Sequence, residues 1–203
     1  MELSHKEEPG MEKFQKTTLS LDGIIIIAPR IFSDERGFFF ESYTKKDFEH
    51  LGIPEDFVQD NHSCSKKGVI RGLHYQSGYA QGKLVQVLRG SIYDVMIDIR
   101  KGSPHYGKYF GISLRSIDHR LIYIPVGFAH GFLSLEDQTE VQYKTTEYYH
   151  PEYDAGILWN DPVLKITWPL KEHGIDTPLL SPKDAVLPRL SEIESPFEYQ
   201  RME

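Results

Sequence analysis

The sequence is poor in three things on which whole classes of protein depend: cysteine, positive charge and long apolar runs. One cysteine, Cys64, among 203 residues excludes an internal disulfide and a four-cysteine zinc site, and is typical of a reducing compartment. Lys and Arg number 23 against 30 Asp and Glu, a net charge of −7, which has the wrong sign for neutralising nucleic-acid phosphates. The longest aliphatic run, Ile24–Ala28, is far shorter than the roughly 20 apolar residues of a membrane helix. We predict a cytoplasmic globular protein that binds neither nucleic acid nor membrane.

Nucleotide-binding fingerprints and targeting signals are also missing. Neither G-x-G-x-x-G nor G-x-x-x-x-G-K-[ST] occurs, so any nucleotide would be bound without a dinucleotide fold or a P-loop. Residues 1–16 alternate charges around Pro9-Gly10 without an apolar segment, which excludes a secretory signal and predicts a flexible N-terminal arm. The length favours one domain, because a domain usually takes roughly 100–200 residues.

Aromatic residues, by contrast, are abundant. The 11 Phe and 12 Tyr lie in short runs broken by Gly or Pro, which favours strands over long amphipathic helices. The predicted strands are Asp22–Ala28, Gly37–Tyr43, Asp56–Asp60, Val69–Gln76, Lys83–Leu88, Ser91–Ile99, Tyr109–Leu114, Leu121–Ile124, Gly131–Ser134 and Glu140–Tyr148. Short, evenly spaced strands predict a mainly β fold, a jelly-roll barrel or sandwich of antiparallel strands with a few short helices.

Two elements stand out from this pattern. The predicted strand Ser91–Ile99 has one strongly apolar face and one mixed face, and a mixed face turned inwards indicates a barrel with a wet interior. The first half has one clear helix candidate, Thr44–Leu51, with Thr44 as N-cap and Gly52 just past the end. A further helical turn is predicted to begin at Ser181.

Two of the nine histidines, His74 and His130, lie in strand patterns among glycine and aromatic residues. Each is predicted to face inwards, either as a core histidine satisfied by a carbonyl or carboxylate or as a ligand-facing group. Two interior histidines in a barrel also suggest a metal site. However, Gln76 stands where a paired ligand would need to be histidine, and no third ligand lies at an obvious spacing.

Cationic residues also lie in or next to the predicted strands, and together they could give a cleft a positive potential despite the negative net charge. Arg71 tests this idea, because residues three apart point to opposite faces of a regular strand. Arg71 and His74 therefore share a pocket only if Gly72 permits a bulge or if Arg71 lies at the end of the strand.

Several stretches, taken together, resemble the dTDP-4-dehydrorhamnose 3,5-epimerase family of cupin-type jelly-roll enzymes. They are Phe32-Ser33-Asp34-Glu35-Arg36-Gly37-Phe38-Phe39, Val58-Gln59-Asp60-Asn61-His62-Ser63, Arg71-Gly72-Leu73-His74-Tyr75-Gln76, Gln81-Gly82-Lys83-Leu84-Val85, Asp98-Ile99-Arg100-Lys101-Gly102-Ser103-Pro104, Ile124-Pro125-Val126-Gly127-Phe128-Ala129-His130-Gly131-Phe132 and Trp159-Asn160-Asp161-Pro162. The resemblance implies one domain over residues 17–187, between the arm and a C-terminal tail over residues 188–203.

The same resemblance implies a role for each site residue. His74 would be the general base with Asp184 as its carboxylate partner, Tyr143 the opposing acid, and Lys83 the group that faces the enolate oxygen. Arg71 and His130 would lie near the sugar and pyrophosphate, and Tyr149 would stack on thymine. The nucleotide would be held by Arg36, Glu41, Gln59, Asn61, Asp154 and Lys183. Members of the family are homodimers, so Arg36 and Glu41 could serve the partner's site.

Elementary chemistry supports these roles. C3 and C5 of a 4-keto sugar both flank the carbonyl, so loss of either hydrogen gives an enolate that a nearby ammonium stabilises. A histidine paired with a carboxylate accepts a proton near neutrality. A tyrosine, with a pKa near 10, is still protonated and can return a proton from the opposite face. This chemistry requires no metal or redox cofactor.

The predicted activity is therefore epimerisation at C3 and C5 of dTDP-4-dehydro-6-deoxy-D-glucose, to give dTDP-4-dehydro-L-rhamnose. Three alternatives stay open at this point. One is an epimerase of a single carbon or a 3,4-ketoisomerase; the second is a metal-dependent cupin oxygenase. The third is a non-catalytic module that binds a sugar nucleotide.

Overall fold

A computed structural model describes residues 12–200 of the chain, and the predicted mainly β fold is confirmed. The strands are β1 (Phe14–Thr18), β2 (Ile25–Pro29), β3 (Phe32–Asp34), β4 (Gly37–Phe39), β5 (Gln59–Ser65), β6 (Ile70–Gln76), β7 (Lys83–Arg89), β8 (Ser91–Asp98), β9 (Tyr109–Arg115), β10 (Leu121–Ile124), β11 (Phe128–Ser134), β12 (Thr139–Thr145) and β13 (Asp154–Gly156). The helix α1 is Lys45–His50, and short 3-10 turns span Ser116–Asp118, Pro151–Tyr153, Lys171–His173, Asp184–Val186 and Leu190–Glu192.

Two antiparallel sheets form a sandwich of the cupin jelly-roll type. The six-stranded sheet has the order β1-β2-β10-β7-β12-β5, and the five-stranded sheet has the order β13-β6-β11-β8-β9. Strands β3 and β4 form a separate hairpin. Apolar side chains from both sheets meet between them, including Val85 and Ile122 from one and Met96 and Phe132 from the other.

Strand β8 has the two faces that its sequence predicts. Ile92 and Met96 are fully buried between the sheets, with Asp94 on the same inward face. Val95 and Ile97 point outwards, where the chain after β13 covers them. Both faces of this strand are thus buried, and an aspartate with no solvent exposure lies inside the barrel.

The outer face of the six-stranded sheet is covered by α1. Phe48 of the helix is fully buried against Ile27 and Tyr123. Thr44 is the N-cap residue by backbone geometry, but its hydroxyl donates to Glu41 at 3.3 Å and makes no capping bond. Gly52 follows the helix with φ of +87°, in the left-handed region that glycine adopts most easily. No helix among residues 12–200 is long and apolar enough to cross a membrane.

The chain from residue 157 to 200 wraps the outer face of the five-stranded sheet, and a buried aspartate fixes its path. Asp161 is 2% exposed and accepts the backbone N–H groups of Val163 and Leu190, both at 2.7 Å. The N–H of Leu158 donates to the carbonyl of Pro188 at 2.8 Å. These bonds hold the 3-10 turn Asp184–Val186 against the sandwich.

The structure differs from the predicted elements in several places. Strands β1, β3 and β13 were not predicted, the predicted strand Gly37–Tyr43 ends at Phe39, and Asp56–Asp60 is replaced by β5, Gln59–Ser65. Strand β1 has one buried and four exposed residues, because it is an edge strand stabilised by backbone pairing with β2. Strand β5 alternates polar residues on both faces, so no hydrophobic period marks it.

The described parts of the predicted N-terminal arm and C-terminal tail pack against the rest of the domain. Residues 1–11 of the predicted arm lie outside the described residues, but Phe14 is buried in β1, so residues 14–16 belong to the sheet. Beyond residue 187, Leu190 and Ser195 are buried. The boundaries at residues 17 and 187 stay predictions, while the packing extends past both.

Candidate active site

A cavity of about 270 Å³ lies between the two sheets. One wall comes from β5, β7 and β12, the other from β6 and β11, and the segment carrying the turn Asp184–Val186 closes one side. The lining residues are Ser63, Arg71, His74, Lys83, His130, Gly131, Phe132, Tyr143, Ser181, Lys183 and Asp184. The cavity thus gathers three cationic side chains, which makes it a site for an anionic ligand in a protein of negative net charge.

Strand β6 brings Arg71 and His74 to the same cavity through a bulge. His130 of β11 pairs with His74, and Phe132 pairs with Arg71, so β6 has one extra residue between these points. Gly72 has φ of +122°, and a Cβ there would lie 2.5 Å from the Cα of Gly131. Only glycine fits this close approach, and of the two predicted alternatives the structure has the bulge rather than Arg71 at the end of the strand.

His74 and Asp184 form a hydrogen-bonded pair. The ring Nε2 lies 2.6 Å from Oδ1 of Asp184, and the side chains are 33% and 6% exposed. Burial raises the pKa of the Asp184 carboxyl, but hydrogen bonds from His74, Ser181 and the backbone of Gly72 lower that pKa more strongly, so it lies below its ordinary value. A carboxylate held ionised in this way fixes the imidazole tautomer and stabilises an imidazolium.

Lys83 crosses from one sheet towards the other. It begins β7, and its Nζ donates to the backbone carbonyl of His74 at 3.2 Å. Desolvation lowers the pKa of the Lys83 ammonium to about 8, although the charges of Asp154 and Asp94 oppose that shift. The ammonium is therefore fixed beside the His74 backbone and is predominantly protonated at neutral pH.

Tyr143 lies on the wall opposite His74. It belongs to β12 of the six-stranded sheet, where it pairs with Asn61 and Val85, whereas His74 belongs to the five-stranded sheet. Burial raises the pKa of the Tyr143 phenol, partly offset by the charge of Arg71. The phenol therefore stays protonated at neutral pH. It lines the cavity on the side opposite His74.

A second histidine–aspartate pair lies deeper in the same cavity. Nε2 of His130 lies 2.6 Å from Oδ1 of Asp94, and the two side chains are 8% and 0% exposed. The other oxygen of Asp94, Oδ2, has no hydrogen-bond partner among residues 12–200. His130 thus matches the sequence-based alternative of an interior histidine satisfied by a carboxylate, and it also lines the cavity.

Five more predicted residues form a connected rim beside the cavity. The Tyr149 hydroxyl donates to Oδ2 of Asp154 at 2.8 Å, and Lys183 donates to the same oxygen. Gln59 accepts the Tyr149 N–H at 3.0 Å and donates to Asn61 at 2.9 Å. Tyr149 is 51% exposed, so its ring is available to a planar ligand.

Arg36 and Glu41 are not brought to this cavity. Arg36 lies on the β3–β4 hairpin and is paired with Asp34, while Glu41 is paired with Lys13 at 3.2 Å. The structure therefore places eleven of the thirteen predicted site residues in the cavity or on its rim and these two elsewhere on the chain.

Sequence reasoning missed Ser63, Ser181 and Asp94 as parts of the site. Asp94 belongs to the mixed face of β8 that is predicted to point inwards, and its position opposite Phe132 in the register places it beside His130. Ser63 lies in a strand without a hydrophobic period, and Ser181 lies in the turn that carries Asp184. Gln76, which argued against a metal site, instead donates to the carbonyls of Tyr79 and Tyr148, at 2.6 and 3.1 Å. Within residues 12–200, no three His, Cys, Asp or Glu side chains form a group suited to a metal ion.

Comparison with known proteins identifies one family, the same one that the sequence motifs resemble. The family model of dTDP-4-dehydrorhamnose 3,5-epimerase matches residues 18–192. The dTDP-4-dehydrorhamnose 3,5-epimerase of Pseudomonas aeruginosa is 52% identical over 169 residues, which cover 83% of this chain and 91% of that protein.

Solved structures show the same relationship. A dTDP-6-deoxy-D-glucose-3,5-epimerase from Legionella pneumophila, in complex with dTDP-4-keto-L-rhamnose, has a TM-score of 0.88 and 47% identity, and covers 93% of this chain and 100% of that one. A 3'-monoepimerase from Streptomyces bikiniensis, in complex with dTDP-quinovose, has a TM-score of 0.77 and 32% identity, covering 85% and 86% of the two chains. The double epimerase is thus the more similar of these two structures.

Proposed function

Because the chain belongs to the dTDP-4-dehydrorhamnose 3,5-epimerase family, we propose that its cavity epimerises C3 and C5 of dTDP-4-dehydro-6-deoxy-D-glucose. The product is dTDP-4-dehydro-L-rhamnose, on the route to dTDP-L-rhamnose. The chain is an isomerase of the carbohydrate epimerase class. The observation that carries the proposal is the placement of His74 and Tyr143 on facing sheets, with Lys83 reaching across between them.

His74 is the general base of this mechanism. When Nε2 donates its hydrogen to Asp184, Nδ1 keeps the lone pair that accepts a proton. The ionised carboxylate of Asp184 then stabilises the imidazolium formed after proton abstraction. The two residues together make the base strong enough to act on a carbon acidified by the neighbouring ketone.

Lys83 stabilises the charge that develops on the ketone oxygen. Loss of the proton from C3 or C5 turns the carbonyl into an enolate, and a fixed cationic donor in a desolvated site lowers that barrier by about 3 kcal/mol. Because both carbons flank the same carbonyl, one ammonium serves both steps. The substrate must turn over or pucker so that each carbon faces His74 in turn.

Tyr143 supplies the proton that completes inversion. Protonation from the face opposite the base inverts the carbon, whereas return of the proton by His74 would restore the starting configuration. The raised pKa of the phenol keeps it protonated until it is needed. Its presence also argues against the ketoisomerase alternative, in which we expect the acid at this position to be displaced or replaced.

The rim binds the nucleotide part of the substrate. We assign thymine to the exposed face of Tyr149, and the nucleotide contacts to Gln59, Asn61, Asp154 and Lys183. Arg71 and His130 lie deeper, near the sugar and the pyrophosphate. Asp154 accepts from both Tyr149 and Lys183, which holds the stacking ring and the lysine in a defined arrangement.

We propose a homodimer, in which Arg36 and Glu41 complete the partner's nucleotide site. The hairpin that carries Arg36 exposes two phenylalanines, Phe38 and Phe39, each at 60%. An apolar, outward-facing hairpin next to an arginine is typical of an interface. We propose a cytoplasmic location, supported by the single cysteine.

Mixed dimers test this assignment. A subunit with His74→Ala and a subunit with Arg36→Ala are each expected to form weakly active homodimers. In the mixed dimer one site keeps both native groups if Arg36 acts across the interface, so activity should return on mixing. If mixing restores nothing, although mass analysis shows that mixed dimers form, Arg36 does not serve the partner's site.

Proton NMR in D₂O tests the reaction itself. Wild-type protein incubated with dTDP-4-keto-6-deoxyglucose should introduce deuterium at both C3 and C5, and His74→Ala should introduce none while binding dTDP almost normally. Exchange at one carbon would make the chain a single-carbon epimerase. Exchange at neither carbon by the wild type would leave a non-catalytic binding module.

A further inference from the structure

Strand β5 presents a row of polar side chains to the interior of the barrel. Gln59, Asn61, Ser63 and Ser65 share one parity, and this parity is the more buried one. Three of the four have partners: Gln59 bonds Asn61 and the backbone of Tyr149, and Ser65 accepts from Nε of Arg71 at 3.0 Å. The row thus connects the nucleotide rim at one end with Arg71 at the other.

Ser63 is the exception in this row. Its Oγ is buried and has no hydrogen-bond partner among residues 12–200. Leaving such a hydroxyl unpaired is costly, and buried polar groups in folded proteins nearly always have partners. An alanine would fill the same place without that cost, so the hydroxyl points to a partner that arrives from outside the chain.

The position of Ser63 indicates which part of a ligand that partner is. Ser63 lines the cavity together with His74, Lys83 and Tyr143. At about 3.3 Å per residue, it lies about 13 Å along the strand from Gln59, which contacts the Tyr149 backbone at the rim. A nucleotide sugar with its base at Tyr149 would therefore bring its hexose, rather than its base or ribose, to Ser63.

We propose that the Ser63 hydroxyl hydrogen-bonds an oxygen of the substrate's keto-sugar ring and positions that ring between His74 and Tyr143. This inference rests on the proposed function. A neutral hydroxyl can both donate and accept, which suits a sugar oxygen, whereas the diphosphate has the ammonium of Lys183 available at the rim.

The test compares Ser63→Ala with Ser134→Ala. Ser63→Ala should lower kcat/KM for the dTDP-keto sugar about tenfold, the value of one lost hydrogen bond of about 1.4 kcal/mol, while the unfolding midpoint stays the same or rises. Ser134 is also fully buried, but its hydroxyl already donates to the carbonyl of Glu136 at 2.9 Å and it does not line the cavity. Ser134→Ala should lower the unfolding midpoint and leave kcat/KM unchanged.

Calorimetric titration with dTDP and with dTDP-glucose separates this inference from the proposed reaction. Ser63→Ala should bind dTDP within twofold of wild type and dTDP-glucose several-fold more weakly, whether or not the wild type exchanges deuterium. Equal loss of affinity for both ligands would place the hydroxyl on the diphosphate and overturn the proposal. A lower unfolding midpoint with unchanged kcat/KM and affinities would show a structural partner and overturn it as well.

Discussion

The two histidine–aspartate pairs of the cavity have the same length and very different surroundings. In both, Nε2 lies 2.6 Å from a carboxylate oxygen. His74 is partly exposed at the cavity wall, and its aspartate comes from a turn that is 110 residues away along the chain. His130 is buried, and its aspartate comes from the neighbouring strand β8.

Because the two hydrogen bonds have the same length, we propose that the surroundings of each pair, and not the bond, decide which histidine is the base. Asp184 receives bonds from Ser181 and from the Gly72 backbone in addition to His74, so it stays ionised and leaves His74 able to exchange a proton with a ligand. Asp94 keeps one oxygen without a partner among the described residues and is sealed from water. We therefore propose that the outer pair, His74–Asp184, takes part in turnover and that the inner pair, His130–Asp94, is a fixed part of the cavity wall.

Asp184→Asn should have the largest effect and should fall on turnover. Loss of the carboxylate removes the charge that stabilises the imidazolium and no longer fixes the tautomer, so kcat should fall by about 10³–10⁴, as for removal of a triad carboxylate. The dTDP affinity should stay within twofold. Steady-state kinetics and calorimetry measure the two quantities, and a loss of kcat below tenfold would break the distinction between the pairs.

Asp94→Ala should instead act on stability. It leaves His130 buried without its partner, and breaking one side of a buried pair should lower the free energy of unfolding by about 3 kcal/mol. Asp184→Ala should cost less, because His74 is partly exposed and remains hydrated. Urea unfolding followed by Trp fluorescence compares the two variants, and equal losses would remove the contrast between an inner and an outer pair.

Tyr149→Ala tests the rim, where the expected effect is on affinity alone. Loss of the stacking ring should weaken dTDP binding by about 1–3 kcal/mol, the magnitude found for base–aromatic stacking. Tyr148→Ala is the matched control, since Tyr148 is similarly exposed, at 58% against 51% for Tyr149, and has no assigned role. An unchanged affinity of Tyr149→Ala would show that thymine binds elsewhere.

The smallest effect should be on the pH dependence of activity, which we expect the ammonium of Lys83 to control. In the proposed mechanism the protonated ammonium is the active form, and burial lowers its pKa to about 8, so kcat/KM should fall as the pH rises through 8, by about tenfold per unit above it. Stability should move the other way. The pKa of Lys83 is about 8 in the folded chain and about 10.4 in the unfolded chain. Between these two pH values the unfolded lysine binds more protons than the folded one, so the contribution of Lys83 to stability rises with pH.

Lys83→Met provides the control for that profile. Its low residual activity should lack the alkaline fall, and the difference in unfolding free energy between wild type and variant should change over the same pH range. An alkaline fall that persists in Lys83→Met would assign it to another group, such as Tyr143.

Local sequence patterns were sufficient where polar and apolar residues alternate, or where a polar residue stands among glycine and aromatic residues. The two faces of β8 were predictable from alternation, and the inward position of His74 and His130 from their neighbours. A bulge at Gly72 was one of two ways predicted for Arg71 to share a pocket with His74. The pattern failed at β1 and β5, where backbone pairing rather than a hydrophobic period makes the strand. It could not reveal the pairing of His74 with Asp184, because no local feature relates two residues so far apart. That pairing was predicted only from the resemblance to a family.

The hydrogen bonds that Val163 and Leu190 donate to Asp161 also bear on the order in which the protein folds. Synthesis proceeds at about 5–20 residues per second, and N-terminal parts begin to fold first, so both sheets can assemble while Asp184 has not yet emerged from the ribosome. At that stage His74 lies in a nearly complete barrel, and its hydrogen-bond partner Asp184 is not yet in place. In the proposed mechanism the active site is therefore completed late in folding, when the chain beyond β13 packs against the five-stranded sheet.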